Sequence, residues 1–304
     1  MVIVFGTICL DRLHRVDAMP QPGGYAEIRE SVTAVGGEAL NTAYCLARWQ
    51  TDQFLAGNSL GRGAEADELN RLMREANIPE PHCPNHDHPV PLCDIYVAPN
   101  GERTMFGRGF NDLSTKSTVD GIPWANRTWF TADPNLGETS RKAQQVASAK
   151  GLRCYLMDFL GDEDRFTEQD VWQSSTDRVG KPGDVQTNLR WMHKWTAKHP
   201  CLSILSDGAN GFVLGRPDAE PVHFPPFPAP VVIDSTGAGD CFRAGMLHSF
   251  CEGKSLCDSL LFAAAAASLK CRALGATTGV PTLDEVQQMI SAHPMIQDIY
   301  RVAG

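Results

Sequence analysis

Two hydrophobic rhythms run through the chain. Short apolar runs, many β-branched, end at glycine or polar turns, and longer segments repeat their apolar residues every three or four positions. Residues 2–5 read as a buried strand and 54–61 as a strand and loop. From 128 onward the pattern becomes strand 128–132, helix 138–150, strand 153–158, helix 188–198 and strand 202–206. That alternation predicts a parallel sheet with covering helices. Further helices are expected over 42–49, with Ala43, Leu46 and Ala47 on one face, and over 64–76, with Leu69, Leu72 and Met73. Helices are also expected over 242–250, 256–269 and 283–290. The helix over 256–269 contains Ala263 to Ala267, a composition that favours helix and close packing.

Other stretches follow neither rhythm. Residues 15–35 alternate loosely around Pro20, Pro22, Gly23 and Gly24, as a solvent-edged strand pair would. Residues 92–98 and 102–107 flank Pro99-Asn-Gly101, a hairpin signal. Residues 163–185 are polar and irregular and read as a surface excursion, with Asp162-Glu-Asp164 as a solvated charge run. Residues 221–230 read as a proline-rich connection into a buried strand at 231–233. No internal repeat and no heptad run is visible.

Composition narrows the partners. A chain of 304 residues holds one large α/β domain or two small ones. A net charge of -9 argues against nucleic acid and anionic membranes but leaves an anionic substrate open. No run is long enough to span a bilayer, and Met1 to Phe5 reads as a strand, not a signal peptide. The ten cysteines form no Cys-x-x-Cys pair. Cys45, Cys154, Cys241, Cys251 and Cys271 fall in apolar or helical segments, so a reduced, cytoplasmic setting is expected. His82, His86 and His88, with Cys83 and Cys93, fit no common zinc spacing. A polar surface loop is the expectation there, and metal binding the alternative.

The chemistry concentrates at Asp234-Ser-Thr-Gly-Ala-Gly-Asp240-Cys-Phe242, a strand, a glycine turn and a helix start. Gly237, Ala238 and Gly239 let a ligand approach the backbone. The unpaired first amides and the dipole of the helix make an anion site. Asp240 at its mouth would repel a resting phosphate, but it suits a base that takes a proton from a hydroxyl attacking phosphorus. The plain alternative is a glycine turn with an ordinary N-terminal helix carboxylate.

Extended to Gly245, this stretch resembles the signature of the ribokinase-like (PfkB) carbohydrate kinases. Gly36-Gly-Glu-Ala-Leu-Asn41 and Asn100-Gly-Glu-Arg-Thr104 resemble family motifs in the family's order, and the resemblance spans nearly the whole chain. It implies a three-layer α/β sandwich with a mostly parallel sheet, a single domain over 1–304, and a small β-sheet lid from about 12–35 and 91–109. It implies ATP-dependent transfer to a sugar hydroxyl, with Mg2+ on the ATP phosphates. Asp240 would be the base, and the backbone of Gly237, Ala238 and Gly239 the anion hole. Asp11, Gly36, Gly37, Asn41, Arg103 and Asp240 would hold the sugar. Asn188, Ser206, Gly208, Gly211, Gly239 and Gly275 would lie along ATP. Asp234 and Thr236 would meet a monovalent cation such as K+, and the lid allows a homodimer. There are departures: Trp191 replaces the glutamate of Asn-x-x-Glu, Phe159-Leu160 follows Asp158 where Asp-Pro-Asn is common, and the alanine-rich helix lacks an early Asn. They leave open a nucleoside kinase of the same fold and a catalytically weakened sugar or nucleotide sensor. A dinucleotide-binding dehydrogenase is disfavoured, because the first strand is followed by Gly6-Thr-Ile-Cys-Leu-Asp11, not by the glycine fingerprint.

Overall fold

The computed structural model of the chain describes residues 1–84, 89–99, 101, 103–111 and 113–303. His86 and His88 of the histidine-rich stretch, and Asn100 and Glu102 of the expected hairpin turn, lie outside them. The chain opens with β1 (Val2–Gly6), β2 (Cys9–Val16), β3 (Ile28–Gly36), α1 (Glu38–Arg48), β4 (Gln53–Gly57), α2 (Ala64–Glu75), β5 (Leu92–Val97) and β6 (Arg103–Arg108). It continues with β7 (Trp129–Ala132), α3 (Glu138–Ala149), β8 (Arg153–Met157), β9 (Val171–Ser175), α4 (Val185–Thr196), β10 (Leu202–Ser206), β11 (Phe212–Gly215) and β12 (Val222–Phe224). Helices α5 (Ala238–Cys251), α6 (Leu256–Lys270), α7 (Leu283–Ala292) and α8 (Pro294–Ala303) close it.

The central sheet runs β12-β11-β10-β9-β8-β7-β1-β4. It is parallel except for the two pairs that β11 makes. Every residue of β1 is buried, as a parallel strand covered on both faces requires. Its side chains alternate between two cores. Val2 and Val4 pack with Leu46 of α1, Leu247 of α5 and Leu260 of α6. Ile3 and Phe5 pack with Ala143 of α3 and Met192 of α4. Helices therefore cover both faces of one sheet. A smaller sheet, β3-β2-β5-β6, stands apart from it, with its own apolar cluster around Leu13, Ile95, Val97 and Leu274.

Several sequence expectations need correction. The stretch 163–185 contains β9, a central strand between β8 and β10. Its Gln173 and Ser174 are buried yet polar, which hid it from a search for apolar runs. Asp164 is not a solvated charge: it is buried, and its carboxylate accepts from Arg141 Nε at 2.8 Å and the Gly161 amide at 2.8 Å. Val231, Val232 and Ile233 form no strand and are exposed. The proline-rich stretch carries the edge strand β12, and α8 follows the expected last helix. Helix α1 begins four residues early, at Glu38. Among the described cysteines all ten are free. Cys45, Cys154 and Cys241 are buried as expected, whereas Cys251 and Cys271 are only half-buried.

Candidate active site

The site lies where the C-terminal ends of the central strands meet the N-termini of α1 and α5, the usual ligand position in such sheets. The turn ahead of α5 is built by Asp234. Its Oδ1 accepts from the Thr236 amide at 2.9 Å and the Thr236 hydroxyl at 2.7 Å, and its Oδ2 accepts from the Gly275 amide at 2.8 Å. Gly237 follows with φ +75°, and a Cβ there would lie 2.7 Å from the Ala276 side chain, so this position requires glycine. The Ala238 amide donates to the Ser235 carbonyl at 3.1 Å, so it is not one of the free donors expected of the turn. Among the described residues, the amides of Gly237, Gly239 and Asp240 donate to no acceptor outside α5, and first-turn amides have none within a helix.

Asp240 is buried, and both carboxylate oxygens are held. Asn41 Nδ2 donates to Oδ2 at 2.9 Å, and Arg243 donates to Oδ1 at 3.1 Å. Burial pushes its carboxyl up to about 7; Arg243 and Asn41 oppose the rise, and Asp133 and Asp158 add to it. Arg243 is fully buried and also donates to Thr42 Oγ1 and to the carbonyls of Ala132 and Glu38. It ties α1, β7 and α5 together beneath the carboxylate. Glu38 and Asp133 complete an acidic floor around it. Both carboxyls are raised, first by burial and, for Glu38, next by Asp133 and Asp240, and Arg243 opposes the rise in both. Glu38 Oε2 is buried without a partner.

Of the residues expected to hold the sugar, Asn41 bonds Asp240 directly, and Asp11 lies against Gly36 at the entry to α1. Gly37 has φ +90°, and a Cβ on it would lie 2.3 Å from the Thr7 carbonyl. A Cβ on Gly36 would lie 2.1 Å from the Asp11 carboxylate, so Asp11 lies against the Gly36 backbone. Asp11 is buried, and burial raises its carboxyl to about 6 although Cys9 Sγ donates to it at 3.2 Å. Asn41 Oδ1 is buried and has no partner, an acceptor held in reserve. Arg103, on β6 of the small sheet, reaches across to Ser235 Oγ at 3.0 Å.

Behind the turn lies a cleft of about 430 Å3, lined by Ser206, Gly208, Gly211, Val232, Gly239 and Ala267 among others. Val232 of the exposed apolar run 231–233 lines it. A larger depression, about 560 Å3 near Gly151 and Pro200, lies at the opposite, N-terminal ends of β8 and β10. Two expected nucleotide contacts are placed otherwise. Asn188 is buried, and its side chain bonds both the amide and the carbonyl of Lys181 and reaches Asp207 Oδ2 at 3.5 Å. Gly275 stands behind Asp234 through its amide and does not line the cleft. Trp191, in place of the expected glutamate, stacks with Trp172 and Trp195 at 5.7 and 5.3 Å. An Asp-Pro-Asn turn is present one strand early, at 133–135, where Asp133 caps the Asn135 amide. Among the described residues no group of three or more His, Cys, Asp and Glu is placed to hold a metal ion.

Sequence reasoning missed Arg243, Glu38, Asp133 and Gln173. Arg243 was findable, because a cation three residues after Asp240 faces it on a helix. Gln173, which donates to the Gly239 carbonyl at 3.0 Å, was not, since its strand was unrecognised.

Comparison with known proteins gives the family and the fold. Residues 170–283 match the family model described as pfkB family carbohydrate kinase. The chain is 39% identical to mouse ketohexokinase, covering 89% of this chain and 95% of that protein. It is 33% identical to Lactococcus lactis ribokinase, covering 94% and 95%. The structure of Arabidopsis thaliana ribokinase complexed with ribose and ATP superposes with a TM-score of 0.75 at 19% identity, over 95% of this chain and 98% of that one. The fold is therefore the ribokinase-like one, a mostly parallel sheet between helices with a separate small sheet. The chain belongs to the pfkB family of carbohydrate kinases. It is accordingly a phosphotransferase, and the dehydrogenase alternative falls away.

Proposed function

We propose that this kinase transfers the γ-phosphoryl group of ATP to a hydroxyl of a free sugar, with Asp240 as general base. One observation carries the reading: the Asp240 carboxylate, held by Asn41 and Arg243, is buried in the first turn of α5 beside amides that lack acceptors outside that helix. Asp11, the Gly36-Gly37 backbone, Asn41 and Arg103 bind the sugar. The apolar cleft takes the nucleotide base, with Ser206, Gly208 and Gly211 along it, and the α5 turn receives the phosphates. The relatives named above, a ketohexokinase and two ribokinases, support a sugar acceptor.

The mechanism is in-line transfer. Asn41 and Arg243 aim the Asp240 carboxylate, which accepts the proton of the attacking hydroxyl. The new O–P bond forms as the bond from the γ-phosphorus to the β-bridging oxygen breaks, and ADP leaves. The amides of Gly237, Gly239 and Asp240 donate to the charge that develops on the transferred group. Mg2+ carried on the ATP phosphates would supply neutralisation of their charge; among the described residues no group of three or more His, Cys, Asp and Glu is placed to hold it directly. The small sheet acts as a lid within a single kinase domain and keeps out water that would compete as nucleophile. An ADP-release assay across pentoses, hexoses and nucleosides tests the acceptor: free sugars should turn over and nucleosides should not. ATP binding by calorimetry with no turnover on any acceptor would make the protein a sensor instead.

The base must be ionised to act. Since burial holds the Asp240 carboxyl near 7, kcat/KM should rise about tenfold per pH unit below that point and level off above it. A flat profile between pH 5 and 8, on the order of those limits, contradicts the assignment. The lid also supports self-association. Every residue of β6 is exposed, including the apolar Met105 and Phe106. Light scattering should give a homodimer, and Met105→Lys should shift it to monomer.

A further inference from the structure

Lys270, the last residue of α6, has a fully buried side chain. Its Nζ donates to the backbone carbonyl of Asp234 at 2.9 Å. A buried ammonium is costly unless it is paired and hydrogen-bonded. Its counter-charge is the Asp234 carboxylate. Burial alone would raise that carboxyl, but Lys270, the Thr236 hydroxyl and the amides of Thr236 and Gly275 bring it below its ordinary value. The amides of Ile233 and Asp234 both donate to the Cys271 carbonyl, at 2.8 and 3.2 Å. The approach to the glycine turn is thus clamped onto the end of α6, with the carbonyl at its start facing an ammonium. An exchangeable monovalent cation does not fit there. Both carboxylate oxygens of Asp234 already accept, from the Thr236 amide and hydroxyl and the Gly275 amide, and the ion would sit near a like charge.

We infer that the Lys270 ammonium is the resident cation of the anion-hole turn, and that it makes phosphoryl transfer independent of added K+. It touches no substrate and acts as a positioning residue: it fixes the Asp234 carbonyl, and so the direction of the Gly237, Gly239 and Asp240 amides. This rests on the reading of those amides as the anion hole.

The test compares kinase activity in buffer whose only monovalent cation is tetramethylammonium with activity in saturating KCl. The wild type should change by less than about twofold. Lys270→Met, similar in length but uncharged, should lose about 10²-fold in kcat with little change in sugar KM, and KCl should not restore it. Lys270→Ala should lose as much, and methylammonium or K+ entering the vacated space should restore about tenfold. Those ions should also raise the Tm of Lys270→Ala, and not of the wild type, by about 2 °C. A wild type stimulated tenfold or more by K+, or a Lys270→Met variant with wild-type kcat, overturns the inference. The wild-type comparison decides it even if neither variant folds. A wild type inactive on every sugar in both buffers refutes the kinase reading instead.

Discussion

Asp240→Asn should fold as the wild type does and lose roughly 10²–10⁴-fold in kcat, the range of a positioned general base. The sugar KM should barely move, because the amide still accepts from Asn41 and the hydroxyl is held mainly by other groups. Folding should survive because Arg243 keeps three acceptors, the Thr42 hydroxyl and the carbonyls of Ala132 and Glu38. Glu38 can also take over as counter-charge. Its carboxyl is held up in part by the charge of Asp240, which the substitution removes. Steady-state kinetics beside a thermal melt separates the two effects. A rate close to wild type would end the base assignment.

Arg243→Met should be the more damaging change to stability. The guanidinium is fully buried and holds four acceptors on three elements. Methionine fills part of the volume but leaves Asp240 and two carbonyls without their donor. Breaking a buried pair from one side costs about 3–5 kcal/mol, which for a chain of this size lowers Tm by on the order of 10 °C. The catalytic effect has a sign of its own. Arg243 opposes the burial that raises the Asp240 carboxyl, so removing it pushes that carboxyl higher still. The acid limb of the rate profile should then move to higher pH, with most activity recovered in alkaline buffer. An unchanged limb would show that Arg243 braces the helices without setting the base. The double variant with Asp240→Asn should be less destabilised than the sum of the two single changes, since both remove the same contact.

The fold was legible wherever burial and apolarity coincide. β1, β7, β8 and β10 are short apolar strands ended by turns, and their alternation with α3 and α4 gave the parallel sheet. It was illegible where a buried strand is polar. Gln173 accepts from the Tyr155 hydroxyl at 2.7 Å and donates to the Gly239 carbonyl, so it belongs inside without being apolar. The opposite error fell on 231–233, where β-branched residues are exposed and form no strand, one of them, Val232, lining the cleft. The proposed site was legible as residue types in order: Asp11, Gly36, Gly37, Asn41, Asp240. The contact between Asn41 and Asp240 was not. Nothing in a spacing of 199 residues announces the Asn41–Asp240 hydrogen bond. Nor does a helical lysine at position 270 announce that it is buried on the carbonyl of Asp234. Such contacts are made by tertiary packing, which periodicity does not encode.

The most direct test of the account follows phosphorus itself. Wild-type protein, MgATP and a free pentose or hexose are incubated together and read by 31P NMR, beside the same mixture with Asp240→Asn. The account predicts loss of the γ-phosphoryl resonance and equal growth of ADP and a sugar phosphomonoester with the wild type, and an ATP spectrum left standing with the variant. Inorganic phosphate in place of the phosphomonoester, or equal product from both proteins, would contradict it.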